Sequence, residues 1–327
     1  MVIGMKTILL ALLFDDQLGD PPNAYHPVAW MGTMIGKLRQ WGDQSAVVQE
    51  STTNQFIYGG LIAGGGALVM WQIGRVLCRF FGLLPAPLAW FAEAWLLKTM
   101  FSLSGLTNAA EDVAAALQAG DLVDARRLVS WHLVSRDTSA LDESQVVAAT
   151  IESVGENLSD GVIAPLLGYY FFGLPAAIAY RYVNTCDAML GYRDEAREWL
   201  GKSSARFDDM LNLIPARVTA LLIVTAGMII DGAEKGLDTA VATWQRGWLV
   251  WRNDANITSS PNAGHAMGAT AGALGVSLEK VGHYELGEGL PRPEKEDIGR
   301  VVRLVRGAAL LGVVVLWLSS RVRQRNS

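Results

Sequence analysis

From Thr53 to Gly74 the chain carries no charged residue, and stretches of this kind recur along its length. Gly161–Tyr180 has none, Met210–Ile230 has only Arg217, Leu83–Leu97 only Glu93, and Gly307–Ser320 none. A helix needs about 20 mostly apolar residues to cross a hydrocarbon core. The runs starting at Thr53, Gly161 and Met210 approach that length. The last run is shorter, but its apolar pattern begins near Ile298 with arginines interspersed. Charged residues make up 18% of the chain, below the roughly 25% of ordinary soluble domains. A polytopic membrane protein is therefore predicted, against a large soluble helical protein with an unusually apolar core.

Apolar residues recur at i, i+3 and i+4, and period-two alternation is scarce, so the expected fold is all-α. Asp20-Pro21-Pro22, His26-Pro27 and Leu84-Pro85-Ala86-Pro87 break the helices. In the polar region Thr99–Ser159, Thr107–Leu117 and Leu122–Val134 read as amphipathic helices. They meet at Gly120-Asp121, where glycine suits a helix end and aspartate an N-cap. Gly173-Leu174-Pro175 interrupts Gly161–Tyr180, and polar clusters flank that run on both sides. This predicts a re-entrant hairpin that returns to the face it left. A second polar region, Asp231–Arg303, centres on Ser259–Gly264. No linker divides the chain, so residues 1–327 are expected to form a single membrane-embedded domain. The apolar start with Lys6 lacks a small-residue cleavage pattern before Asp15-Asp16 and reads as a retained helix. Arg321, Arg323 and Arg325 follow the last apolar run, which the positive-inside rule places in the cytoplasm.

Several functions are excluded. A net charge of −5 argues against nucleic acid. Cys78 and Cys186 lie far apart beside apolar sequence and read as buried thiols. His26, His132, His265 and His283 show no paired ligand spacing for zinc. There is no phosphate-binding loop with its lysine. Gly59-Gly60 and Gly64-Gly65-Gly66 read as close helix packing.

Three polar clusters abut apolar runs, where an ionised group must be paired, solvated or metal-bound. Glu152, Glu156 and Asp160 are spaced four apart, on one stripe of a helix, with Asn157 beside it. Their repulsion would be relieved by a basic partner or by Mg²⁺, whose ligands are hard oxygens. The same spacing also suits a solvated acidic face. Arg181, Asn184 and Asp187 follow at i, i+3, i+6. Asp208, Asp209 and Asn212 lie between Arg206 and Arg217, with Pro215 expected to kink or start a helix. Arginine suits phosphate because its donors form a fixed fork; buried ion pairs holding helices together are the alternative for each. Ser260–Gly264 leads into a small-residue helix, Ala266–Leu274, whose N-terminus suits an anion or an ordinary capped turn. Asp15, Asp16, Asp20 and His26 form an acidic loop, and Arg136-Asp137 is a charged pair.

Taken in order, these motifs resemble one family. They are Gly19-Asp20-Pro21-Pro22 with His26-Pro27, Arg136-Asp137-Thr138, Glu152 to Gly161 with Ala164-Pro165, and Tyr180-Arg181 with Asn184 and Asp187. Gly191-Tyr192-Arg193, Ala205 to Arg217, Ser260-Pro261-Asn262-Ala263-Gly264 and Ala271–Val276 complete the set. The chain resembles the cobinamide-phosphate synthases, the CbiB/CobD family of cobalamin biosynthesis, from end to end. Two positions depart from the pattern: Ser135 where glycine is expected, and His265 where tryptophan is expected.

The resemblance implies a multi-pass enzyme of the cytoplasmic membrane with its site facing the cytoplasm. It would join a corrinoid, adenosylcobyric acid, to aminopropanol phosphate or a related amino alcohol through an amide bond, using ATP and Mg²⁺. It nominates Asp137, Glu152, Glu156, Asp160, Asp187, Asp208 and Asp209 for catalysis, with Glu152, Glu156, Asp160 and Asp208 as metal ligands. Arg136, Arg181, Arg206 and Arg217 would hold phosphate. Asp20, His26, Asn157, Asn184, Asn212, Ser260 and Asn262 would contact substrate. Expected partners are membrane lipid and either a second copy of the chain or other membrane enzymes of the same pathway. A Mg²⁺–diphosphate prenyl transferase and an ion-coupled transporter with a broken helix at Gly173–Pro175 are the rival readings.

Overall fold

The computed structural model describes residues 2–191 and 198–325. Tyr192 and Arg193 of the motif set lie outside the described residues.

Helix α1 (Val2–Leu18) stops before Gly19 and Pro21-Pro22, which supply neither a helical glycine nor the amides a helix needs. Helix α2 (Pro27–Gln44) starts at a proline, with His26 Nδ1 accepting the Val28 N–H at 3.2 Å. Two short helices follow, α3 (Ala46–Gln49) and α4 (Thr52–Gly60). A π turn at Leu61–Gly65 joins α4 to α5 (Gly66–Phe81). Helix α6 (Ala86–Lys98) opens on Pro85 and Pro87. Helices α7 (Leu103–Gln118) and α8 (Leu122–His132) correspond to the two amphipathic segments expected from sequence. Gly120 between them has φ +75°, and Asp121 caps α8 by accepting the Asp124 N–H at 2.9 Å.

Helix α9 (Glu143–Leu158) begins with a capping box. Asp142 Oδ1 accepts the Gln145 N–H at 2.8 Å and Gln145 Oε1 accepts the Asp142 N–H at 2.9 Å. A second π turn, Ser159–Ile163, leads to α10 (Ala164–Phe172). Gly173, at φ +80°, lets the chain reverse into α11 (Leu174–Leu190), and Pro175 sits in its first turn. Helix α12 (Glu198–Lys235) runs through Pro215, so the proline neither starts nor ends a helix. Helices α13 (Leu237–Asp254) and α14 (Ala263–Leu274) follow. Strands β1 (Leu278–Lys280) and β2 (Tyr284–Leu286) pair antiparallel, with Lys280 opposite Tyr284. Helix α15 (Glu296–Arg325) ends the described chain.

The expectation of an all-α fold holds for the described residues, apart from the short β1–β2 hairpin. Two three-residue strands carry too little alternation to stand out against helical periodicity.

Among the described residues, three helices are long and apolar enough to cross a membrane: Thr52–Phe81, Glu198–Lys235 and Glu296–Val322. They contain the runs that begin at Thr53, Met210 and Gly307. The Leu83–Leu97 run yields only the 13 residues of α6. Gly161–Tyr180 is not one helix, because Gly173 divides it into α10 and α11. These two fold back on each other, with Gly168 in contact distance of the Ala176 backbone.

The chain packs as two compact units that alternate along the sequence. One takes Met1–Ser102, Ala164–Asn212 and Ser320–Ser327, and the other Leu103–Ile163 and Leu213–Ser319.

In the first unit, glycine brings helices together as the sequence implied, at some of the predicted positions. A Cβ on Gly66 would stand 2.2 Å from the Tyr182 hydroxyl, and one on Gly59 2.0 Å from the Leu200 carbonyl oxygen. Tyr182 donates to the Ile62 carbonyl at 3.1 Å, within the π turn, where the i→i−4 ladder is interrupted. A Cβ on Gly74 would lie 2.6 Å from Pro175 Cα, whereas Gly64 has nothing within 4 Å. Gly74→Ala is expected to cost about 1–3 kcal/mol. The check is Tm in detergent, with Gly64→Ala expected to leave Tm unchanged. Cys186 is buried and Cys78 half-buried, both as free thiols.

In the second unit, every residue of α14 from Gly264 to Leu274 is buried. Small side chains allow this. A Cβ on Gly272 would meet Gly247 Cα of α13 at 2.8 Å, and one on Gly155 of α9 would meet Thr270 Oγ1 at 2.7 Å. Arg246 Nε donates to the Gly272 carbonyl and Arg300 Nη2 to the Leu274 carbonyl, both at 2.7 Å. Two cations thus close the negative end of α14.

Candidate functional site

In the second unit the sequence places Glu152 on α9, on a face that α14 and the hairpin cover. The loop before α9 is tied down from several sides. Thr138 Oγ1 donates to the Arg126 carbonyl at 2.8 Å, Arg126 Nε to the Leu141 carbonyl at 2.7 Å, and Ser153 Oγ to the Leu133 carbonyl at 2.6 Å. This loop delivers Arg136, whose Nη2 lies 3.5 Å from Glu152 Oε2. The pair is incompletely satisfied. Glu152 is 5% exposed, and neither its Oε1 nor Arg136 Nε has a hydrogen-bond partner among the described residues. Buried polar atoms normally find partners, so this pair invites a ligand.

Burial pushes the Glu152 carboxyl up to about 7, Arg136 and Lys280 oppose the shift, and Glu156 adds to it. Tyr284 of β2 lies against Glu152; burial and the charges of Glu152 and Glu156 push its hydroxyl above the ordinary phenol range, so it remains a donor. The Lys280 ammonium sits 5.6 Å from the Tyr284 ring centroid. Sequence reading missed Lys280 and Tyr284. The available signal was Gly282 between two short alternating segments, Leu278–Lys280 and Tyr284–Leu286.

Glu152 and Glu156 lie on α9, and Asp160 falls in the π turn Ser159–Ile163 that follows it. Asn157 is exposed and turns back to its own helix, donating to the Ser153 carbonyl at 2.9 Å. Asp137 is exposed and holds its own loop, accepting from Ser139 N at 2.9 Å and Ser139 Oγ at 3.0 Å. Those bonds keep its carboxyl below the usual range.

The pH dependence of stability follows from Glu152. Its folded value is raised above the unfolded value near 4.5, so the folded chain binds the extra proton between the two. Stability therefore falls as pH rises from about 4.5 to 7. Glu152→Gln is expected to raise stability by about 1–3 kcal/mol at pH 8 and to change little below pH 4.5, while turnover falls. Denaturation of both proteins at the two pH values checks this.

The first unit holds a second polar centre. Arg181, Asn184 and Asp187 share one face of α11, as their spacing implied. Tyr180 Oη donates to Asn212 Oδ1 at 2.7 Å, and Asn212 Nδ2 donates to Asp208 Oδ2 at 2.8 Å. Asn184 Nδ2 reaches Asp208 Oδ1 at 3.4 Å, and Arg181 Nη1 donates to Asn184 Oδ1 at 3.2 Å. Asp208 is thus a buried carboxylate fixed by two amides. Burial pushes the neighbouring Asp187 carboxyl up to about 6, with the charge of Asp209 adding to the shift. A value near neutrality suits proton acceptance. Arg206 is exposed, its guanidinium 5.9 Å from the Phe56 ring centroid.

Asp20 and His26 belong to another cluster of this unit. Lys98, fully buried, pairs with Asp20 and stands 3.7 Å from Asp15 Oδ1. Ser102 Oγ donates to Asp20 Oδ2 at 2.6 Å, and His26 Nε2 faces Asp20 at 3.6 Å. Burial alone would raise the Asp20 carboxyl; His26, Lys98 and Ser102 together hold it well below the usual range. Nothing in the sequence around Lys98 singled it out.

Back in the second unit, Arg217 Nη1 donates to the Leu213 carbonyl at 2.7 Å and reaches Asn262 Oδ1 at 3.4 Å. Ser260 Oγ accepts the N–H groups of Asn262 at 3.2 Å and Ala263 at 3.4 Å. The turn before α14 is therefore capped from within. Among the described residues no three His, Cys, Asp or Glu side chains converge in metal-binding geometry.

Comparison with known proteins places this arrangement. The profile of the CobD/Cbib protein family matches residues 8–305. A cobalamin biosynthesis protein CobD of Dehalococcoides mccartyi is 38% identical over 307 residues, covering 94% of each chain. A protein of the same name from Chromobacterium violaceum is 40% identical over 308 residues, covering 90% of each. The cobalamin biosynthesis protein CbiB of Salmonella arizonae is 33% identical over 331 residues, covering 95% of this chain and 97% of its own. No solved structure matches the chain. A family profile that takes in both compact units and nearly all the polar residues described above means that the chain belongs to the CobD/CbiB protein family.

Proposed function

We propose that this protein acts in cobalamin biosynthesis, forming the amide bond between the corrinoid adenosylcobyric acid and an amino alcohol such as aminopropanol phosphate, with ATP as co-substrate. The observation that carries this reading is Glu152. It is a buried carboxylate with one oxygen lacking a partner, flanked by Arg136 and Lys280, in a chain of this family. The two cations beside it would take the oxygens of a phosphorylated reactant, and the carboxylate would hold a Mg²⁺ bound to them.

The corrinoid carboxylate would attack the γ-phosphorus of ATP, releasing ADP and giving an acyl phosphate. The amine would then attack the acyl carbon, with phosphate leaving and the amine proton passing to a carboxylate. Asp187, raised to about 6, is the better acceptor; Asp137 is held below the usual range by Ser139. Arg136, Arg181 and Arg217 would bear phosphate oxygens, with Arg217 taking those of the amino alcohol, as a guanidinium fork does well. Glu152 and Glu156, four residues apart on α9 and mutually repulsive, would hold a Mg²⁺, with Asp160 of the same unit as a further candidate; Asp208, in the first unit, is a separate candidate. Bound there, Mg²⁺ would neutralise charge on the transferring phosphoryl group.

The three long apolar helices would anchor the protein in the cytoplasmic membrane, with α10 and α11 as a re-entrant hairpin and the polar site on the cytoplasmic side. Association with a second copy or with other enzymes of the pathway belongs to the same reading.

The test uses full-length protein in detergent with adenosylcobyric acid, aminopropanol phosphate, ATP and Mg²⁺. Corrinoid mass and ADP release are followed together. The expected result is one ADP per amide formed. Folded protein that yields no product with any of several amino alcohols would overturn the proposal and favour prenyl-diphosphate or solute-transport assays.

A further inference from the structure

We propose that His265 completes, with Arg217 and Asn262, a pocket for the phosphate group of the amino-alcohol substrate. This inference rests on the amide-forming reading above and deepens it. The surroundings of His265 give it a defined role as a hydrogen-bond donor.

The imidazole is fixed from one side. Trp251 Nε1–H donates to His265 Nδ1 at 2.9 Å. A neutral imidazole that accepts at Nδ1 carries its proton on Nε2. Burial, then the nearby charge of Arg217, hold the ring below its ordinary value and so in that neutral form. The Nε2–H is therefore a donor, and it has no hydrogen-bond partner among the described residues. The side chain is only 9% exposed, so bulk water does not satisfy it. A buried donor without an acceptor is costly and calls for one.

Arg217 supplies the charge. Only its Nη1 is hydrogen-bonded among the described residues, to Leu213 and Asn262, and the side chain is exposed. The rest of the fork is available to an incoming anion. The amides at the head of α14 are not, because Ser260 Oγ accepts those of Asn262 and Ala263, and Thr258 Oγ1 accepts that of Gly264. Recognition thus falls to side chains: an imidazole N–H and a guanidinium beside an amide. An acceptor-rich dianion with oxygens on several sides satisfies both donors at once, and a phosphate monoester has that chemistry.

The experiment measures binding without turnover. Dissociation constants for aminopropanol phosphate, aminopropanol, inorganic phosphate and ATP are determined on full-length protein in detergent, for wild type, His265→Ala, His265→Gln and Arg217→Ala. His265→Ala is expected to weaken aminopropanol phosphate about tenfold, and Arg217→Ala by tenfold or more. Aminopropanol and ATP are expected to be unaffected. His265→Gln, which keeps an N–H donor, is expected to recover part of the loss. Unchanged affinity for the phosphorylated amino alcohol in a folded His265→Ala protein would mean that the donor serves an internal water, and would overturn the proposal. A loss confined to ATP would overturn it equally, by moving the phosphate to the nucleotide. Discriminating binding without any amide product would refute the reaction and leave the pocket standing.

Discussion

Asp208→Asn is expected to lower kcat by at least about 10²-fold while the protein folds normally in detergent. The substitution keeps the shape of the side chain and removes its charge. Asp208 is buried on α12, fixed by Asn212 at 2.8 Å and reached by Asn184 at 3.4 Å. Two neutral amides hold a carboxylate in place without cancelling it, which is what an acid–base or ligand group needs and what a purely structural ion pair does not show. Replacing a buried charge by a neutral amide of the same size leaves the packing intact, so Tm is expected to hold or rise. Asn212→Ala should behave differently. It strips a partner from both Tyr180 and Asp208, and is expected to cost about 1–3 kcal/mol of stability as well as activity. Near-normal turnover by Asp208→Asn would remove this residue from the chemistry.

Lys98→Met is expected to destabilise the protein by about 3–5 kcal/mol, as breaking a buried ion pair from one side does. Lys98 is fully buried at the end of α6, beside Asp15 and paired with Asp20. Methionine fills similar volume, so the cost reports the uncompensated carboxylates and not a cavity. The measurement is Tm and denaturant midpoint in detergent, against Lys98→Met combined with Asp15→Asn and Asp20→Asn. That triple variant is expected to regain much of the loss, because neutral residues of like volume can replace a buried ionic cluster. A single variant as stable as wild type would show that the cluster does not hold α1 and the loop after it against α6.

Much of the helical framework was legible in the sequence. Pro21-Pro22, Pro85 and Gly173 mark helix breaks through local sterics, and Gly120-Asp121 marks a join through cap chemistry; these effects act within a few residues. The apolar runs beginning at Thr53, Met210 and Gly307 likewise announced the three long apolar helices, because length and composition alone set that property. Within the candidate site, Arg181, Asn184 and Asp187 were readable as one face because helical spacing fixes it.

Other features escaped because they depend on partners far apart in the chain. The π turn that holds Asp160 went unread because such a turn has no reliable local signature. Lys98 gained its meaning only from Asp15 and Asp20, about eighty residues away. Lys280 and Tyr284 reached Glu152 through a hairpin too short to read, and Trp251 reached His265 across the turn between α13 and α14. The sequence by itself determined the apolar helices, their breaks and the inventory of acids, amides and arginines, since composition and local backbone sterics suffice for those. Tertiary structure alone decided which carboxylates are neutralised, as Asp20 is by Lys98, and which remain poised, as Glu152 does. Burial and through-space charge, which set that difference, are properties of packing and not of spacing.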